Sequence, residues 1–174
     1  LKILGVDLSL TSTGLALIED EEVIKTMAVT SKSSEDWDVR RERIRKHVLR
    51  LAEDADLIGL ENYSYGSQFA KEIAGELGGI NRLALIEQDA DRNITLIAPT
   101  QVKKFVALHG RASKDEVQAE VEKKYDVELD SDDEADALGL AYNAYYCYLF
   151  ENEEITKDDL EPEQYDVVKK ILEK

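Results

Sequence analysis

The sequence predicts an α/β domain: one mixed, five-stranded sheet with helices on both faces. Three observations carry this. The first thirty residues hold three short apolar segments parted by tight polar turns, the pattern of an antiparallel meander. Beyond them, short apolar segments alternate with longer stretches at helical spacing, as parallel strands and their crossover helices do. Two of the apolar segments also end in a lone carboxylate, at the edge where open α/β sheets bind ligands.

The elements follow in order. Residues 2–9 read as a buried strand that ends in polar residues, and Thr11-Ser12-Thr13-Gly14 reads as a turn. Residues 15–19 and 22–30 give the second and third strands, with Asp20 and Glu21 turning the chain between them. Ser34 is a candidate cap for a helix over 35–55, where Trp37, Ile44, Val48, Leu51 and Ala55 recur at helical spacing. Residues 56–61 form a short strand. A long helix over 67–90 carries Phe69, Ile73, Leu77, Ile80, Leu83 and Ile86. Residues 93–98 make a last strand. Pro99 opens a helix, where its missing N–H costs nothing, and Gly110 is expected to end it. Ser113 and Glu116 make a capping box for a helix over 114–125. A long apolar helix spans 132–150. A highly charged segment over 155–174 holds one more short helix after Pro162. The expected organisation is one domain over 1–152 and an acidic helical tail over 153–174.

Composition narrows the classes. The chain has 174 residues, 43% of them hydrophobic, enough for a real core. No apolar run approaches the ~20 residues of a membrane span, and no basic-then-apolar leader is seen, so a cytoplasmic protein is expected. A lone cysteine, Cys147, excludes an internal disulfide and a cysteine-based zinc site. The formal charge of -16 is unevenly placed: residues 115–174 hold 20 acids and 6 bases, residues 1–114 hold 18 and 16. Between Arg92 and Lys114 there are five bases and no acid. An acidic protein therefore carries one local basic window.

Four acids stand out. Asp7 ends the apolar strand Ile3-Leu4-Gly5-Val6, and Glu61 ends Leu57-Ile58-Gly59-Leu60. A carboxylate on a core strand is costly unless it is paired or binds a cation. Either acid alone is also what a solvent-facing strand end shows. Asp133 and Asp136 are three apart at the start of the 132–150 helix, so they share one face. Taken alone they also fit an acidic first turn that complements the helix dipole, the role expected of Asp132 and Glu134. Together the four fit the oxygen donors that two hard divalent ions about 4 Å apart require for hydrolysis of a phosphodiester. His47 and His109 are the only histidines, and this chemistry needs neither.

These motifs resemble those of the RuvC-type Holliday junction resolvases of the RNase H-like superfamily. Ile3-Leu4-Gly5-Val6-Asp7-Leu8-Ser9-Leu10-Thr11-Ser12-Thr13-Gly14 is similar to their opening strand and turn, and Leu57-Ile58-Gly59-Leu60-Glu61 to their second acidic strand. Ala98-Pro99-Thr100-Gln101-Val102-Lys103-Lys104 and Gly110-Arg111-Ala112-Ser113-Lys114-Asp115-Glu116-Val117 resemble their basic segment. Asp133-Glu134-Ala135-Asp136-Ala137-Leu138-Gly139-Leu140-Ala141 resembles the helix carrying the last two acids. The likeness runs from about residue 2 to 146.

The resemblance implies a magnesium-dependent endonuclease acting on four-way DNA junctions by paired symmetric nicks. Asp7, Glu61, Asp133 and Asp136 would hold two Mg2+ ions, with Asp7 bridging them and Mn2+ as a substitute. It implies a homodimer through the 67–90 helix. An aromatic residue just after the second acid would disturb the DNA, a place flanked here by Tyr63 and Tyr65. Lys103, Lys104, Arg111 and Lys114 are the expected phosphate contacts, which position DNA without reading its sequence. A second basic cluster, Arg40, Arg41, Arg43, Arg45, Lys46 and Arg50, is interleaved with acids and reads as a solvated helix face. The acidic tail and low pI depart from the family pattern and point to a divergent or phage-encoded member. Two other readings stay open: an RNase H-like nuclease for RNA–DNA hybrids or flaps, and a non-catalytic junction-binding protein. An ATPase of the actin and sugar-kinase type would need a second domain and a second phosphate hairpin.

Overall fold

The computed structural model describes residues 1–62 and 68–173, with the side chains of 68–71 outside that description. The chain order is β1 (Lys2–Asp7), β2 (Ser12–Glu19), β3 (Glu22–Thr30), α1 (Trp37–Ala52), β4 (Leu57–Glu61), α2 (Gln68–Gln88), β5 (Asn93–Ile97), α3 (Pro99–Ala107), α4 (Lys114–Tyr125), α5 (Asp132–Glu151) and α6 (Pro162–Leu172). A short 3-10 turn at Lys157–Asp159 precedes α6.

The strands lie in the order β3-β2-β1-β4-β5. β1 pairs antiparallel with β2, and β2 with β3, while β1–β4 and β4–β5 are parallel. This is the expected mixed sheet, with β1 at its centre. Strand periodicity sorts the side chains onto two faces. Leu4 and Val6 of β1 join Ile44 and Val48 of α1 and Leu77 and Leu85 of α2 in one core. Ile3 of β1 joins Leu138 and Ala141 of α5, Phe105 of α3 and Val117 of α4 in the other. By the same alternation, Gly5 and Asp7 face α5, as do Gly59 and Glu61.

Three glycines set how closely α5 approaches the sheet. A Cβ on Gly5 would stand 1.9 Å from the carbonyl oxygen of Ala137, one on Gly14 1.9 Å from that of Asp133, and one on Gly59 2.4 Å from that of Leu140. These are backbone atoms of α5 and cannot rotate aside. The helix therefore lies on a floor without side chains across β2, β1 and β4. A glycine inside a strand marks such close approach of another backbone.

Several local expectations are corrected. Ser12 begins β2 rather than sitting in a turn. The α1 cap is Asp36, whose side chain accepts from Asp38 and Val39, rather than Ser34. α3 ends at Leu108 in the left-handed region (φ 61°), two residues before Gly110. Arg40 is buried, donating to Ser31 Oγ (2.8 Å) and the Leu10 carbonyl (3.0 Å), rather than solvated. Glu134 is likewise buried and accepts from Thr26 Oγ1 at 2.9 Å. The other α1 bases do lie among acids: Arg41 with Asp38 and Glu76, Arg43 with Glu35, Arg45 and Lys46 with Glu42. The charged C-terminal segment is packed, because Val167, Val168 and Ile171 of α6 are buried in the α5-side core. No helix among the described residues is long and apolar enough to cross a membrane.

Candidate active site

Asp7 and Glu61 stand at the C-terminal ends of neighbouring parallel strands. Val6 lies opposite Leu60 in the ladder, so the two acids emerge side by side one residue later. Their carboxyl groups are adjacent and interact directly. Asp136 faces this pair from the first turns of α5, and Asp133 lies one turn earlier. Asp133 accepts a hydrogen bond from Ser12 Oγ at the start of β2, which fixes its carboxylate toward the sheet.

The electrostatics are those of acids crowded away from water. Burial pushes the Asp7 carboxyl well above the usual carboxylate range, and the contact with Glu61 and the charges of Glu61 and Asp133 push it further. Burial raises Glu61 too; its contact with Asp7 opposes the rise and the charge of Asp136 adds to it. Burial, then the charge of Asp7, lifts Asp136 to about 6. A positive charge at this place would remove the penalty for all three at once.

Lys114 is one cation that the fold places beside the acids. Its ammonium is paired with Asp132, which holds its pKa up, and lies 3.9 Å from Asp133 Oδ1. Lys103 joins Asp7, Glu61, Asp136, Pro99, Val102 and Leu140 around a cavity of about 30 Å3, the space of a single water or small ion. No group of three histidine, cysteine, aspartate or glutamate side chains among the described residues forms a ready-made metal shell. The acids instead meet as the adjacent Asp7 and Glu61 with Asp136 beside them.

The remaining expected DNA contacts are dispersed. Lys104 turns away from the acids and pairs with Asp166 of α6 at 2.5 Å. Arg111 is exposed on the loop before α4. Ser113 is committed to its capping box, donating its N–H to Glu116 Oε2 at 2.7 Å and accepting from Glu116 N at 3.2 Å. Tyr63 and Tyr65 lie outside the described residues. Ser12 was missed as a site residue; a hydroxyl just after the Asp7 strand was the available signal. The partnership of Lys114 with Asp132 and Asp133 was not visible, because it joins residues on two different helices.

A mixed five-stranded sheet with acids at the ends of two central parallel strands, crossed closely by an acid-bearing helix, defines an RNase H-like α/β protein. A family model described as crossover junction endodeoxyribonuclease RuvC matches residues 3–143. The chain belongs to that family. A crossover junction endodeoxyribonuclease RuvC from Dictyoglomus thermophilum is 29% identical over 156 residues, covering 83% of this chain and 96% of the relative. The solved structure of Thermus thermophilus RuvC matches with a TM-score of 0.72 and 23% identity, covering 86% of this chain and 97% of that one. The same protein solved in complex with a Holliday junction substrate matches equally, over 86% and 96%. These two likenesses speak to the fold.

Proposed function

We propose that this chain is a structure-selective endonuclease that resolves four-way DNA junctions by paired symmetric nicks, using Asp7, Glu61, Asp133 and Asp136 as its catalytic acids. The observation that carries the reading is the convergence of Asp7, Glu61 and Asp136 on one small cavity, with Asp133 held beside it, in a chain of the crossover-junction family. The donor set is all carboxylate oxygen, which suits Mg2+, with Mn2+ as a substitute, rather than zinc. The cavity has room for an ion, and the raised pKa values of Asp7, Glu61 and Asp136 mark uncompensated negative charge. The four acids would hold two ions. Such ions, when bound, supply an activated water and stabilise the leaving 3′-oxygen.

The protein's own groups do the rest. Asp7, between Glu61 and Asp136, is the acid placed to be shared. Ser12 keeps Asp133 in one orientation. Lys103 at the cavity wall and Lys114 at its margin attract the scissile phosphate, while exposed Arg111 extends the basic path along the backbone. Lys104, paired with Asp166, contributes least to DNA binding. Because the net charge is -16, this local path must supply the attraction against an acidic remainder.

Paired nicks require two sites, and α2 offers a face for a second copy of the chain. Gly79, exposed Leu83 (58%) and exposed Ile86 (45%) fall on one side of the helix. A symmetric α2 contact would bury them and set two acid clusters a fixed distance apart.

A substrate panel tests the reading. With magnesium, the protein should nick a synthetic four-way junction symmetrically and spare linear duplex and an RNA–DNA hybrid. Equal cutting of linear duplex, or preference for the hybrid, would assign it to another branch of the fold.

A further inference from the structure

α6 lies beyond the 3–143 stretch of the family match and carries no acid of the site. It packs on α3, the helix that bears Lys103, as well as on α5 and β5. We propose that α6 is a brace that fixes the rotation of α3, and that Gln164 and Asp166 are positioning residues holding Lys103 at the acid cluster. The proposal rests on the nuclease reading above.

α3 has nine residues and ends in a left-handed cap. The last carbonyls of a helix lack intrahelical partners, and one of them, Phe105 O, receives Gln164 Nε2 at 3.1 Å. Gln164 is itself buried, so water does not compete for this bond, and its other amide atom accepts from Glu161 N at 3.3 Å. One residue before Phe105, Lys104 Nζ meets Asp166 Oδ2 at 2.5 Å, and Lys170 shares the same oxygen at 2.9 Å. Val167, Val168 and Ile171 bury against the cluster that contains Val102, Phe105 and Val106.

The opposite flank of α3 is held by α5. A Cβ on Gly139 would lie 2.7 Å from Val102 Cγ1 and 3.2 Å from Val106 Cγ2, so those two side chains sit directly on the α5 backbone. α3 is thereby gripped from both sides, with Lys103 on the remaining side at the cavity wall. Successive residues of a helix are about 100° apart. A small rotation of α3 would therefore swing Lys103 off the acids while leaving the sheet intact.

The test uses the full chain with Gln164→Met, Asp166→Asn, Asp166→Glu and Lys103→Ala, and the double variants with Lys103→Ala. Single-turnover cutting of a four-way junction at saturating magnesium is compared with junction affinity. Gln164→Met should slow cutting by about tenfold and Asp166→Asn by less, with affinity kept within about twofold, since a small misplacement costs rate more than binding. Asp166→Glu should restore the rate. In the Lys103→Ala background neither change should slow cutting further, because positioning acts only through the group positioned. Full additivity there, or a wild-type rate in Gln164→Met, overturns the proposal. Amide exchange over 99–107 gives an arm independent of cutting. It should accelerate in Gln164→Met while β1 stays protected, and unchanged exchange overturns the brace. If the wild-type chain cuts no junction, the nuclease reading fails and the exchange arm still decides whether α6 holds α3.

Discussion

The carbonyl oxygen of Ala137 lies 1.9 Å from the point where a Cβ on Gly5 would stand. This one approach brings the start of α5 over the ends of β1 and β4, and so brings Asp136 to Asp7. Gly5→Ala should therefore force α5 off the sheet. The expected cost is about 3 kcal/mol or more, at the upper end of overpacking. In a domain of this size that is a fall of roughly 6–12 °C in Tm. Urea unfolding of the purified variant checks it; an unchanged midpoint would mean that α5 does not lie where its glycines allow.

The acid cluster predicts an unusual pH profile for the metal-free protein. Asp7, Glu61 and Asp136 have folded-state pKa values above the ordinary carboxylate value, Asp136 at about 6. The folded chain thus binds protons that the unfolded chain has released by about pH 4. Stability from these groups is greatest below that pH and declines as pH rises through about 6. Surface acids with depressed values, such as Glu35 and Glu42 at about 2, act in the opposite sense at lower pH. The clean measurement is therefore a difference: Tm from pH 4 to 8 in chelator, wild type against Asp136→Asn. The variant should lose less stability over the rise, and magnesium at pH 7.5 should raise Tm more in wild type. Parallel curves would contradict the account.

Arg40 and Arg45 divide the basic face of α1. Arg40 is buried and satisfies the Leu10 carbonyl just after the Asp7 strand. Arg40→Ala leaves that carbonyl to Ser31 Oγ alone and removes the donor to Ser31 Oγ, and should cost about 1–3 kcal/mol. Arg45 is paired with Glu42 on the surface, so Arg45→Ala should leave the unfolding midpoint unchanged. Chemical denaturation separates the two. Equal effects would return Arg40 to the solvated face that the sequence pattern suggests.

Much of this was legible in the residues because it depends on local periodicity. Asp7 and Glu61 announce themselves by interrupting apolar strands, and the strand and helix order follows from alternation and spacing. What was hidden depends on contacts between distant segments. Gly5, Gly14 and Gly59 are ordinary strand glycines until α5 is laid across them. Ser12 looks like a turn residue until Asp133 arrives 121 positions later. Arg40 has the same surroundings in sequence as its solvated neighbours. α6 reads as acidic tail because Val167, Val168 and Ile171 are scattered among charges, although their spacing is that of one buried helical stripe.

The proposed α2 interface makes a separate prediction. Leu83→Lys places a charge in the centre of the exposed stripe with Gly79 and Ile86. It should shift the protein toward monomer in sedimentation and uncouple the two nicks, so that singly nicked junctions accumulate. A monomeric wild type, both free and on junction DNA, would remove α2 from the account.

The most direct test concerns Asp7. Wild type and Asp7→Asn are incubated with magnesium and a labelled four-way junction, and both cutting and binding are followed. The proposed acid site predicts that the variant retains junction affinity within a few-fold and loses cutting by at least about a thousandfold, since in that proposal transition-state charge is stabilised chiefly through this cluster. Cutting by Asp7→Asn at a rate near that of wild type would contradict the central claim.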